Sequence, residues 1–123
     1  MKFLSVVLVF FFSAFVLIGD DSPGEAKNIY GVLIQSILDG DASVFQELGN
    51  EAFRKQMTTE LFQTAQAEIG PRLQAGYTSA YLGKIAKNGK DLYLWKIVGS
   101  RSEEELLVSL VLEKNKVAAF YIQ

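Results

Sequence analysis

Ile85-Ala86-Lys87-Asn88-Gly89-Lys90-Asp91-Leu92 carries the strongest local signal in the chain. Asn and Gly tolerate the positive φ of a type I′ turn, so Asn88-Gly89 between apolar, strand-like segments predicts a two-residue β-hairpin. Working outward, Gly99-Ser100-Arg101-Ser102 marks a second reversal and Lys114-Asn115 a third. The strands so delimited run from about Arg72 to Ala86, Asp91 to Gly99, Glu104 to Glu113 and Lys116 to Ile122. Four sequential strands joined by hairpins make an antiparallel meander.

Upstream of Pro71 the period is helical. Ala26, Ile29, Tyr30, Leu33, Ile34, Ile37 and Leu38 recur at the spacing of an amphipathic helix. Asp39-Gly40-Asp41 then supplies a glycine for a left-handed stop and an aspartate to cap a short second helix carrying Val44, Phe45 and Leu48 before Gly49. Asn50 to Met57 reads as irregular. Thr58 or Thr59 caps a third helix with the face Leu61, Phe62, Ala65 and Ile69, which Gly70-Pro71 is expected to end. The predicted class is α+β: three N-terminal helices packed on a strongly curved four-stranded antiparallel meander.

The two faces of the expected sheet are both apolar. Leu92, Leu94 and Val98 oppose Tyr93, Trp95 and Ile97; Leu106, Val108, Leu110 and Leu112 oppose Leu107, Ser109 and Val111. A sheet with one wet face alternates apolar with polar. The face away from the helices is therefore expected to meet a partner subunit or a second layer, with a homodimer through the outer sheet face as the first expectation.

The chain opens with Lys2 and an unbroken apolar run from Phe3 to Gly19 that stops at Asp20-Asp21. This predicts a signal peptide or an N-terminal membrane anchor over 1–26, and an exported, periplasmic or extracellular location for a single domain over 27–123. Gly24-Glu25-Ala26 has the small-x-small pattern of a cleavage site. If the run is retained, Lys2 inside and Asp20-Asp21 outside put the body on the exterior face, anchored by residues 3–19.

Composition narrows the chemistry. The chain has 123 residues, no Cys, no His and a formal net charge of -2. A body of about 100 residues is one domain with one core. Without Cys it relies on packing and carries no lipidated cysteine. Without His it lacks the commonest general base and zinc ligand, and no acidic loop has calcium-ligand spacing. No catalytic residue, metal or cofactor is assigned. Cations scattered among acids argue against nucleic acid, which requires a concentrated basic face.

The candidate ligand-binding residues are Tyr30, Tyr77, Tyr81, Tyr93 and Trp95, because rings with one polar tip suit a pocket for a small apolar ligand. Filling the core or a dimer face is the competing and commoner use of such residues. Asp39 and Asp41 read as caps. Arg54-Lys55 with Lys84, Lys87, Lys90 and Lys96 form a candidate anion-attracting rim, against the plainer role of solvated lysines guarding strand ends. Glu103-Glu104-Glu105 reads as an exposed strand entrance.

Ile37-Leu38-Asp39-Gly40-Asp41, the helix from Thr58 to Ile69-Gly70 and the final strand Val117 to Ile122 together resemble the nuclear transport factor 2-like (SnoaL-like) superfamily, in particular its small exported bacterial members of unassigned function. The likeness spans about Ala26 to Gln123. It implies a cone-shaped sheet wrapped around the helices and open at one end to a pocket. Superfamily members use that cavity for binding and dimerisation or for catalysis of the SnoaL and ketosteroid isomerase kind. The latter implies a tyrosine donor and a buried carboxylate, for which no motif aligns here.

Overall fold

A computed structural model describes residues 24–101 and 104–123. The apolar run 3–19 lies outside the described residues. Among the described residues four helices precede the strands: α1 (Gly24–Asp39), α2 (Ser43–Leu48), α3 (Glu51–Gln56) and α4 (Thr59–Gln74). Four strands follow: β1 (Tyr77–Lys87), β2 (Lys90–Gly99), β3 (Glu105–Glu113) and β4 (Lys116–Ile122). They form one antiparallel sheet in sequence order, so the fold is α+β with a simple meander. Asn88 (φ 54°) and Gly89 (φ 77°) occupy the left-handed region in the first hairpin turn, and Lys114 (φ 52°) and Asn115 (φ 64°) do so in the last.

Two helical expectations need correction. The first concerns Asn50 to Met57, expected to be irregular, where α3 forms. Asn50 caps it by accepting a hydrogen bond from Phe53 N at 2.8 Å, and Phe53 is the only buried residue of its six. A single inward side chain gives no periodicity to read. The second concerns Gly70-Pro71, which does not end α4: the helix continues to Gln74 and β1 starts at Tyr77 instead of near Arg72. Ala67, whose carbonyl loses its helical donor to the proline ring, is exposed to water, while continuing the helix buries Leu73. The third predicted helix is therefore the fourth, and its expected face loses Leu61, which is 49 % exposed.

Helix α1 stops as the sequence suggests. Gly40 has φ 72°, Asp41 N donates to Ser36 O at 2.9 Å and Gly40 N to Ile37 O at 3.4 Å, the paired bonds of a Schellman stop. Asp41 then accepts hydrogen bonds from Ser43 N (3.1 Å) and Ser43 Oγ (2.6 Å). These bonds hold its carboxyl below the usual carboxylate range. Asp39 accepts from Gln35 Nε2 at 3.0 Å. Gly24, Glu25 and Ala26 form the first turn of α1, and Ala26 is fully buried. A cut after Ala26 would remove that turn.

The core lies between α1, α2, α4 and the sheet face that carries Tyr93, Trp95, Ile97, Leu106, Val108, Leu110 and Leu112. The free edge of β4 is partly closed by the chain itself. Gly49 forms a parallel bridge with Val117, Asn50 N donates to Val117 O at 2.8 Å, and Asn50 Nδ2 reaches Glu113 Oε1 at 3.4 Å. One asparagine thus caps α3 and ties it to the sheet edge, which is otherwise open to pairing with another chain. At the other end of the helical layer, Gly76 (φ 105°) turns α4 into β1, and Ser100 ties the turn down through N to Gly76 O (2.8 Å) and Oγ to Ala75 O (2.7 Å). A Cβ on Gly76 would lie 2.9 Å from Ser100 Oγ.

Asn50→Ala removes the α3 cap and is expected to lower stability by about 1 kcal/mol, read as a lower urea midpoint with an unchanged slope. A midpoint equal to the parent's would show that the cap carries no weight.

Candidate functional site

Alternation along β1 places Tyr77, Ser79 and Tyr81 on the helix-facing side. A bulge between Tyr81 and Gly83 then inserts Leu82, so that Lys84 pairs with Tyr93 and follows on the same face. Three of the four candidate tyrosines meet around Trp95, which is 2 % exposed. The Tyr30 ring stacks on it at 4.1 Å with planes 3° apart. Tyr81 lies at 5.6 Å and Tyr93 at 6.2 Å. The Tyr30 hydroxyl hydrogen-bonds with Ser79 Oγ. Tyr77 is half-buried and packs against the same core.

Titratable groups sit at one margin of this cluster. Lys84 Nζ is 3.7 Å from Asp91 Oδ1 and 5.8 Å from the centre of the Tyr93 ring. Burial pushes the Tyr93 phenol above its ordinary value, and the negative charge of Asp91 adds to that. Burial alone raises Tyr77.

A separate opening lies at the other end of α1. It is an apolar cavity of ≈ 110 Å³ between α1 (Ile37), α2 (Phe45), the α3–α4 link (Met57), α4 (Phe62, Ala65, Glu68, Ile69) and β4 (Phe120, Ile122). Phe45 is its hub, meeting Phe62 edge-on at 5.4 Å and Phe120 at 5.7 Å. None of the five sequence candidates lines it. The space exists because Ala65 is small within the stripe of Phe62 and Ile69. The sequence signal that points to it is that alanine, facing the aromatic end of the last strand.

This cavity is smaller than the roughly 300–1,000 Å³ of ordinary ligand pockets. It is nearer the roughly 150 Å³ apolar cavities that stay dry and accept a benzene-sized guest. Glu68 is the only charged side chain in its wall, and no cluster of metal-ligating side chains occurs among the described residues.

The proposed cationic rim divides. Lys84, Lys87 and Lys90 gather at the β1–β2 turn. Lys96 pairs with Glu105 on the outer face at 3.6 Å, Lys55 with Glu51 at 3.5 Å, and Arg54 Nη1 donates to Gly49 O at 3.0 Å. Glu104 of the acidic run pairs with Arg72 at 3.2 Å; Glu103 lies outside the described residues.

A buried phenol favours the protonated native state, so the raised values of Tyr77 and Tyr93 contribute stability that is full below the ordinary value of 10.0 and lost as pH rises through the raised values. Absorbance titration of phenolate should show part of the native tyrosine signal lagging the urea-unfolded chain, and Tyr93→Phe should remove part of the lag. Superimposable native and unfolded curves would contradict this.

Compared with protein-family models, curated proteins and solved structures, the chain matches none of them.

Proposed function

We propose that this chain is an exported, non-enzymatic binding domain of the NTF2-like (SnoaL-like) kind, whose cavity accepts a small apolar ligand or the apolar tip of a larger one. The observation that carries the reading is the apolar, ≈ 110 Å³ space under Phe45, Phe62 and Phe120. Eight of its nine lining residues are apolar and offer dispersion contacts. An isomerase-like mechanism needs a base and a hydrogen-bond donor at one reacting centre. Here the cavity holds one carboxylate, Glu68, and no tyrosine, while the tyrosines pack at Trp95 with Asp91 tied to Lys84 at their margin. Helices on one face of a meander with two bulged strands support the cone-shaped version of the fold. The apolar run 3–19 supports an envelope location.

The same reading covers the outer sheet face with a second copy of the chain. Ile85, Leu92, Val111 and Ala119 form one cross-strand row, and Gly83, Leu94, Ser109 and Tyr121 the next. Ile85 is 51 % and Tyr121 59 % exposed. Paired sheet faces of two copies would remove this apolar surface from water.

Two measurements test these halves separately. Benzene, indole and short-chain alcohols should raise the melting temperature of the parent, and Ala65→Leu, which fills the cavity, should abolish that rise while costing no more than about 3 kcal/mol of stability. Equal shifts in parent and variant would reject the cavity as the site. Sedimentation equilibrium should give a dimer for the parent and a monomer for Leu94→Glu; a monomeric parent at micromolar concentration would reject the sheet interface.

A further inference from the structure

We propose that the end of the sheet formed by the β1–β2 and β3–β4 turns docks on an anionic bilayer surface. The proposal stands apart from the cavity and from the dimer. In an antiparallel meander the first and third turns lie at the same end, and here the register aligns them: Asp91 is opposite Leu112, Lys87 opposite Lys90, and Glu113 opposite Lys116. The result is that Lys84, Lys87, Lys90, Lys114 and Lys116 share one end of the sheet. That end holds five of the chain's 12 cationic side chains and only two of its 14 acidic ones, in a chain of net charge -2.

Charges elsewhere on the sheet are matched. Arg72 pairs with Glu104 and Lys96 with Glu105 towards the opposite end. At the lysine end only Lys84 has a carboxylate, Asp91. Among the described residues no carboxylate lies within ion-pair distance of Lys87, Lys90, Lys114 or Lys116. Placing Lys87 opposite Lys90 costs cross-strand repulsion that an external anion relieves. Adjacent strands lie about 4.8 Å apart, so the whole end spans less than about two Debye lengths at physiological salt. The lysines therefore act together on a flat anionic surface.

A bilayer is the occupant that the rest of the chain favours. The apolar run 3–19 reaches to within a few residues of α1, so a chain held by that run would keep the domain next to phospholipid headgroups, whose negative charge complements the lysine end. Each lysine near such a surface strengthens binding about fivefold.

The test is flotation of the full chain with vesicles of phosphatidylcholine, with and without phosphatidylglycerol. Partitioning should rise with phosphatidylglycerol and fall with salt, and Lys87→Gln with Lys90→Gln should reduce the phosphatidylglycerol-dependent part about tenfold or more. Lys96→Gln with Arg101→Gln removes the same charge elsewhere and should leave that part unchanged. Binding to anionic vesicles with none to neutral ones would support the docking end while counting against membrane insertion of the run 3–19. Partitioning indifferent to phosphatidylglycerol would overturn the proposal, as would equal loss in both double variants. So would binding to heparin or RNA without binding to anionic vesicles, which would assign the end to a soluble polyanion.

Discussion

The stack of Tyr30 on Trp95 is the contact on which the arrangement of the domain depends. It joins the first helix to the second strand, and the hydrogen bond from the same tyrosine to Ser79 brings in the first strand. Two nearly parallel rings at 4.1 Å bury large apolar area with little freedom to slide. The bond to Ser79 fixes the ring in its plane. With that end of α1 fixed, Ile37 is carried towards Phe45 and the end of β4, where the helices do not fill the space against the sheet.

The consequence is a division of labour between the two ends of α1. At the Trp95 end the tyrosine rings pack on the indole, and the Tyr30 hydroxyl is hydrogen-bonded with Ser79. The Phe45 end has three phenylalanines around a gap that Ala65 does not close. Both ends are aromatic, and the second borders the apolar cavity. Ring chemistry alone does not separate a binding residue from a core residue; the volume of its neighbours does.

The sheet adds a second asymmetry, in charge. Meander topology sorts turns to alternate ends, so residues beside the first and third turns become neighbours although some 25 positions separate Lys90 from Lys116. The lysine end and the apolar outer face are then adjacent surfaces with different physics. One works through long-range attraction weakened by salt, the other through burial of apolar area. Under the two proposals the first would hold the domain at an anionic surface and the second would hold it to its own copy.

The meander is legible in the sequence because its signals are local: turn residues that accept positive φ at Asn88-Gly89 and Lys114-Asn115, and short apolar segments between the turns. The sequence also determined α1 and its stop at Gly40, where one glycine and one aspartate meet the needs of a helix end. It misplaced the end of α4, since burial of Leu73 outweighs the local cost of Pro71, and it missed α3, whose stability comes from Phe53 and from Asn50 on Val117. The aromatic candidates were legible as a group, but their packing around Trp95 was not, nor was the cavity, which is a gap between four elements far apart in the chain. The lysines read as scattered along the chain become one surface only after the strands pair. In each case the deciding quantity was a distance between residues remote in sequence, and only the tertiary structure sets that.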